Sequence, residues 1–173
     1  MADADSTKTN KRRENRVIVG LADYKVCRAP VVLATLSLGS CIGVTLYEKS
    51  QKIGGLAHIM LPDSSIHSSN SMPNKFADTA IPAMLDNLVK AGAKQTLIKA
   101  KIFGGANMFS GIMTHRILDI GAKNVMATKN ILYGLHIPIV AEDTGENFGR
   151  SIEIDLETGR VLRKSYTKGN KYF

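Results

Sequence analysis

The chain has 173 residues, 44% of them hydrophobic, which suits one well-buried core and is short for two. Its longest apolar runs, residues 29–36 and 53–61, fall well short of the roughly 20 residues that span a bilayer, and the N-terminus carries no apolar signal region, so membrane insertion and export are not expected. The net charge of +8 is concentrated in residues 159–173, where Arg160, Arg163, Lys164, Lys168 and Lys171 occur with no acidic residue; this favours acidic partners without naming their class. Against nucleic acid stand the lack of tryptophan, the 6% aromatic content, and the absence of Cys/His finger spacing or of aromatics interleaved with basic residues. The plainest reading of the charge is a solvated basic edge. Two cysteines, Cys27 and Cys41, show no paired spacing, which suits a reducing compartment, and the expected location is the cytoplasm.

Residues 1–16 have mixed charge and no apolar periodicity and are expected to form a disordered arm ahead of a single domain over residues 17–173. Strand-like runs follow at residues 17–20, 31–36, 42–48 and 53–61. The last two, separated by the short polar segment 49–52, predict a hairpin with Cys41 near the start of one strand and His58 on the other. A Ser/Asn-rich loop over 63–74 leads into an amphipathic helix, with Ile81, Met84, Leu85 and Leu88 on one face and Gly92 as its stop. Residues 96–105 alternate as a strand and end on a glycine pair. A second helix is expected over 123–132, with Val125, Met126, Ile131 and Leu132 on its apolar side and Gly134 beyond its end. Residues 137–143, 151–157 and 160–166 close the domain as strands. In the middle one Ile152, Ile154 and Leu156 face opposite to Ser151, Glu153 and Asp155. Eight strands and two helices, with strands grouped at both ends, predict an α+β fold of packed mixed β-sheets flanked by helices.

Several segments invite a chemical reading. An acyl-transfer cysteine needs a base, a group that orients the base, and N–H donors for the developing oxyanion. The stretch TLSLGSC with His58 can supply each: Gly39 permits a tight turn, Cys41 attacks, His58 takes its proton, and Thr35 holds the imidazole. The Gly39–Ser40 backbone and the Cys41 N–H lie where an oxyanion would form. The competing reading is a buried cysteine and a satisfied core histidine, and residue chemistry alone leaves both open. Cys27, beside Arg28, lacks a glycine-rich turn and suits a surface or packing role. His58, His67, His115 and His136 are scattered without metal-ligand spacing. FGGANMF lacks the Gly-Lys-Ser/Thr ending of a phosphate-binding loop and suits a close-packed turn, as does Asp143-Thr144-Gly145.

In combination, LGSCIGVTLYE, GGLAHIMLP, KFADTA, AKIFGGANMF, EDTGENFGR and ETGRV, in that order, resemble the CheD family of chemoreceptor glutamine deamidases. The resemblance implies a Cys-His-Thr site at Cys41, His58 and Thr35, hydrolysis of a receptor glutamine amide through a cysteine thioester, and no cofactor or metal. It implies methyl-accepting chemotaxis receptors as partners, with a CheC-type phosphatase of CheY-phosphate as a second one, and neither nucleic acid nor membrane insertion. It also implies a fold similar to the deamidase domain of cytotoxic necrotizing factor toxins. The alternative within this family is a binding module that tunes the phosphatase. Two positions depart from the family pattern: Glu146 stands where a second glycine commonly follows Asp-x-Gly, and Lys123 where an arginine often precedes the asparagine.

Overall fold

The computed structural model describes residues 15–65, 72–107 and 120–173. Within them the strands are β1 (Arg16–Ile18), β2 (Asp23–Arg28), β3 (Val32–Leu38), β4 (Ile42–Glu48), β5 (Ile53–Ile59), β6 (Ile98–Gly104), β7 (Ile139–Thr144), β8 (Arg150–Asp155), β9 (Arg160–Ser165) and β10 (Gly169–Tyr172). The helices are α1 (Ala77–Lys90), between β5 and β6, and α2 (Ile120–Gly134), between β6 and β7.

The strands form two five-stranded sheets, ordered β1-β3-β8-β9-β10 and β2-β5-β4-β6-β7. Each is mixed, because β1 runs parallel to β3 and β6 parallel to β7 while the other pairs are antiparallel. Strand alternation divides the second sheet into two faces. Ile42, Val44 and Leu46 of β4 and Ile53, Ala57 and Ile59 of β5 join α1 residues Ile81, Met84 and Leu88 and α2 residue Leu132 in one apolar cluster. The opposite face contributes Leu56 and Phe103 to a second cluster with Leu33, Leu38, Ile152 and Ile154 of the first sheet. The expected α+β architecture is therefore present, with both helices on the outer face of one sheet and the two sheets packed against each other.

β4 and β5 pair as expected, and the register sets Gly43 opposite His58. A Cβ at Gly43 would lie 2.8 Å from Ile152 and Leu38 side chains, which fixes this pair on the inter-sheet face.

Three expectations need correction. Ten strands occur among the described residues: residues 23–28 form β2 along β5, and the basic C-terminal stretch ends in β10 along β9. β2 was hidden because its two faces serve different layers, Tyr24 and Val26 packing toward the helices and Cys27 between the sheets. β10 is exposed throughout and has no apolar pattern to read. The arm expected over residues 1–16 lies outside the described residues as far as residue 14, but Arg16 opens β1 opposite Val32 and bonds Glu153 at 2.7 Å. Met126 of α2 is 64% exposed, because this helix buries Gly121, Asn124, Thr128 and Leu132, a stripe largely polar or small. The loop expected over 63–74 lies partly outside the described residues.

Candidate active site

The site begins with a β-bulge. Thr35 pairs with Ile152 and Leu38 with Arg150, so Leu36 and Ser37 of β3 stand opposite the single Ser151 of β8. Ser37 takes a left-handed φ of 59° and its N–H reaches the Ser151 hydroxyl at 3.2 Å. The extra residue flips strand parity, so that Thr35 and Leu38, both fully buried, point inward on either side of it. Immediately afterwards residues 39–41 carry the chain out of the first sheet and into β4 of the second.

This corner is held by its carbonyls. Gly39 C=O accepts from Ala106 N–H at 2.8 Å and Cys41 C=O from Gly105 N–H at 2.8 Å. Ser40 C=O accepts from Asn124 Nδ2 at 2.9 Å. Gly104, which ends β6, and Gly105, which follows it, have φ of 107° and 68°. A Cβ on Gly104 would lie 2.2 Å from the Cys41 oxygen, so only glycine admits this approach.

Thr35 and His58 meet across the sandwich, Thr35 from the first sheet and His58 from the second. Thr35 Oγ1 lies 2.7 Å from His58 Nδ1 and 2.8 Å from the Val19 carbonyl oxygen. The hydroxyl has one proton. If it went to Nδ1, the Val19 oxygen would face a bare oxygen at contact distance; donated to Val19, it leaves Oγ1 to accept from Nδ1–H, and both contacts are favourable. This assigns the Nδ1–H tautomer and leaves Nε2 an unprotonated lone pair. Nε2 is buried and has no hydrogen-bond partner among the described residues. Burial lowers the imidazole pKa to about 4, so His58 is neutral at physiological pH.

Cys41 precedes Gly43 by two residues, and Gly43 is the register partner of His58, so strand alternation assigns Cys41 and His58 to the same face as diagonal neighbours. Cys41 is half-buried against the inter-sheet cluster, and desolvation pushes its thiol pKa up. The resting pair is thus a neutral thiol and a neutral imidazole. Cys27, on β2, is also half-buried with a raised thiol pKa, and its near charge is Lys25 rather than a base. His67 and His115 lie outside the described residues, and His136 sits just past α2 with a φ of 57°. Among the described residues no three His, Cys, Asp or Glu side chains converge as metal ligands, and no helix is long and apolar enough to cross a membrane.

The segment EDTGENFGR braces the corner from behind. Gly145 N–H donates to Gly104 C=O at 2.9 Å and Asn107 N–H to Glu146 C=O at 2.8 Å. The loop is folded around Arg150, 2% exposed, whose guanidinium bonds the Asp143 carboxylate and carbonyl, and the Gly145 carbonyl at 2.7 Å. Arg163 Nε donates to the other Asp143 oxygen at 2.9 Å, and Phe148 stacks 4.0 Å beneath the Arg150 guanidinium. The turn expected at Asp143-Thr144-Gly145 is corrected, since Asp143 and Thr144 end β7 and the aspartate pairs two arginines. The C-terminal basic stretch is likewise partly internal: Arg163 is buried, Lys164 bonds Glu153 at 2.6 Å, and Arg160 lies over Tyr172.

Sequence reading missed Asn124 and Arg150. Asn124 is a buried polar residue inside a helix recognised for its apolar positions, and Arg150 opens β8 one residue before the strand expected over 151–157.

Comparison with known proteins shows the family to which the chain belongs. The family model for CheD, chemotactic sensory transduction, matches residues 60–165, and the chain belongs to this family. It is 48% identical over 160 residues, covering 92% of this chain and 99% of the relative, to a protein of Caldanaerobacter subterraneus named "Probable chemoreceptor glutamine deamidase CheD". A protein of the same name from Lachnoclostridium phytofermentans is 45% identical over 88% of this chain and 95% of its own length. The family model begins beyond Thr35, Cys41 and His58. A solved structure, the hypothetical protein YfiH of Bacillus licheniformis, aligns with 70% of this chain and 50% of its own at 16% identity, with a TM-score of 0.45.

Proposed function

We propose that this protein is a chemoreceptor glutamine deamidase that hydrolyses receptor glutamine side chains to glutamate, with Cys41 as nucleophile, His58 as general base and acid, and Thr35 as the group that orients His58. The observation that carries the reading is the buried, unprotonated Nε2 of His58, held in that tautomer by Thr35, on the sheet face that Cys41 shares. Membership of a family whose relatives bear this activity in their name supports it.

His58 Nε2 takes the Cys41 proton as Sγ attacks the amide carbon of the glutamine, giving a tetrahedral oxyanion. A trans peptide sets N–H opposite to C=O, so the anchored carbonyls of Gly39 and Ser40 turn the N–H groups of Ser40 and Cys41 away from their anchors, as oxyanion donors require. The imidazolium then returns its proton to the departing nitrogen, ammonia leaves, and a thioester remains. Water attacks the thioester, giving its proton to Nε2, and the Cys41 sulfur leaves and regains that proton, releasing glutamate. The chain's own groups carry every proton, so the reading needs no metal or organic cofactor. Because burial keeps both partners neutral at rest, the proton moves during attack rather than before it.

The substrates are the cytoplasmic helices of methyl-accepting chemotaxis receptors, which sets the enzyme in the cytoplasm. A CheC-type phosphatase is the second partner in this reading. The deciding experiment is mass spectrometry of a receptor cytoplasmic fragment incubated with wild type and with Cys41→Ala. A gain of about one dalton per converted glutamine is expected with wild type alone. No gain with wild type on any receptor fragment overturns the reading, and a gain in both removes Cys41 as nucleophile. Capture of the phosphatase by Cys41→Ala with unchanged phosphatase stimulation would establish binding separately from catalysis.

A further inference from the structure

We propose that Asn124 is a positioning residue that sets the distance between nucleophile and base, acting as a strut between the corner that carries Cys41 and the end of the strand that carries His58. The proposal rests on the assignment of Cys41 and His58 given above.

Asn124 lies on α2 and is fully buried. Its Nδ2 makes two hydrogen bonds, to Ser40 C=O at 2.9 Å and to Met60 C=O at 2.8 Å. Ser40 immediately precedes Cys41, and Met60 follows His58 by two residues. One amide nitrogen therefore ties both segments to one point on a helix. The side-chain oxygen Oδ1 is buried without a partner among the described residues. The orientation of the amide is thus dictated by the two carbonyls, and turned over it would set oxygen against oxygen. What this position demands is a pair of donors.

The other two corner carbonyls, of Gly39 and Cys41, are held by backbone N–H groups of Ala106 and Gly105 rather than by side chains. The middle one depends on a side chain. The Ser40–Cys41 peptide is planar, so fixing Ser40 C=O also fixes the direction of the Cys41 N–H and the place of the Cys41 Cα from which the sulfur-bearing side chain springs. Without the strut this peptide plane loses its side-chain anchor, so the Cys41 N–H and Cα can shift, and the Met60 carbonyl loses its link to the same point. A displacement of about 1 Å at a reacting atom costs on the order of a hundredfold in rate.

The test uses Asn124→Asp, which keeps size and shape but removes the pair of donors, in full-length protein assayed well below its melting temperature. The expected result is a kcat for receptor-fragment deamidation reduced about a hundredfold with KM within about twofold, since substrate contacts are untouched. The introduced carboxyl can donate one hydrogen bond when protonated and repels both carbonyls when ionised, so the deficit should widen as pH rises, a profile that lost stability alone does not produce. Asn124→Ser, which restores a single donor, should recover part of kcat. A wild-type kcat in folded Asn124→Asp overturns the proposal.

A second measurement needs no substitution at Asn124. In a Cys27→Ser background, alkylation of Cys41 with iodoacetamide should shift the side-chain amide resonances of Asn124, and unchanged resonances overturn the proposal. This readout separates the two readings: absence of deamidation by wild type defeats the enzymatic assignment, whereas wild-type deamidation with an unaffected Asn124→Asp variant defeats the strut alone.

Discussion

Thr35 and His58 belong to different sheets, yet their side chains meet at 2.7 Å in the interior, Thr35 fully buried and His58 4% exposed. A polar bridge at this depth is stable only when every proton has an acceptor, and the Val19 carbonyl completes the chain Nδ1–H to Oγ1, Oγ1–H to Val19. Thr35→Val keeps the shape and removes the hydroxyl. It leaves the imidazole N–H and the Val19 oxygen unpaired, a loss of about 1–3 kcal/mol for each buried group left alone. Freed of its acceptor, His58 can also adopt the Nε2–H tautomer, which cannot take a proton from Cys41. Deamidation by Thr35→Val should fall by about a hundredfold or more, and Thr35→Ser should retain most activity. Stopped-flow ammonia release reads the rate, and a valine variant as fast as wild type removes Thr35 from the site.

The same burial makes His58 a source of acid sensitivity. Its folded pKa is about 4 against an ordinary 6.5. Below 6.5 the unfolded chain takes up a proton that the folded protein refuses until about pH 4, so the stability His58 permits is complete above 6.5 and declines across that window. The loss amounts to on the order of 3 kcal/mol by pH 4. Denaturant titrations at pH 7 and pH 4.5 should show wild type losing more stability than His58→Asn does, because the variant lacks the titrating group. In catalysis the acid limb of kcat/KM should fall near pH 4. A limb near 6.5 would mean that His58 is solvated in the free enzyme.

The candidate triad was legible because its spacing survives translation into register: Cys41 and His58 flank a short polar turn on two hydrophobic runs, and antiparallel pairing sets Gly43 against His58. Thr35 was legible as a hydroxyl at the head of TLSLGSC, made specific by the family resemblance, but nothing local shows that a β-bulge at Ser37 turns it inward in a different sheet. β2 and β10 escaped because one packs its two sides into different layers and the other packs neither. Asn124 and Arg150 escaped for a deeper reason. Each is buried to satisfy carbonyls contributed by distant segments, Ser40 and Met60 for Asn124, and Asp143 and Gly145 for Arg150, and such demands exist only once those segments have been assembled.

Glu146 has a φ of 58°, a left-handed conformation that L side chains occupy at a cost of about 1–2 kcal/mol. Its carboxylate recovers little, being 57% exposed and 3.6 Å from a Lys168 that is 55% exposed. Its backbone carbonyl, which accepts from Asn107, survives substitution. Glu146→Gly removes the strain and adds back part of it as unfolded-state entropy, for a net gain of about 0.5–1 kcal/mol. The melting temperature should rise by a few degrees without loss of deamidation. An unchanged or lower melting temperature would show that the Lys168 pair outweighs the backbone term.

Gly104 tests how closely the corner is built. Its φ of 107° disfavours any side chain, and a Cβ there would sit 2.2 Å from the Cys41 oxygen and 3.2 Å from the Cys41 carbonyl carbon. These are backbone atoms and cannot rotate aside, so Gly104→Ala must push residue 41 away from its hydrogen bond to Gly105. The combined cost of the strained φ and the overpacking exceeds about 2 kcal/mol. The shift falls on the residue whose sulfur attacks, so activity should drop out of proportion to stability: at a temperature where circular dichroism shows the variant fully folded, deamidation should be at least about a hundredfold slower. Gly145→Ala provides the comparison, because its φ of 74° is also left-handed but no heavy atom lies within 4 Å of its Cβ position. It should lose stability while keeping its rate when folded. Equal rate losses in the two variants would mean that contact with Cys41 is not what Gly104 protects.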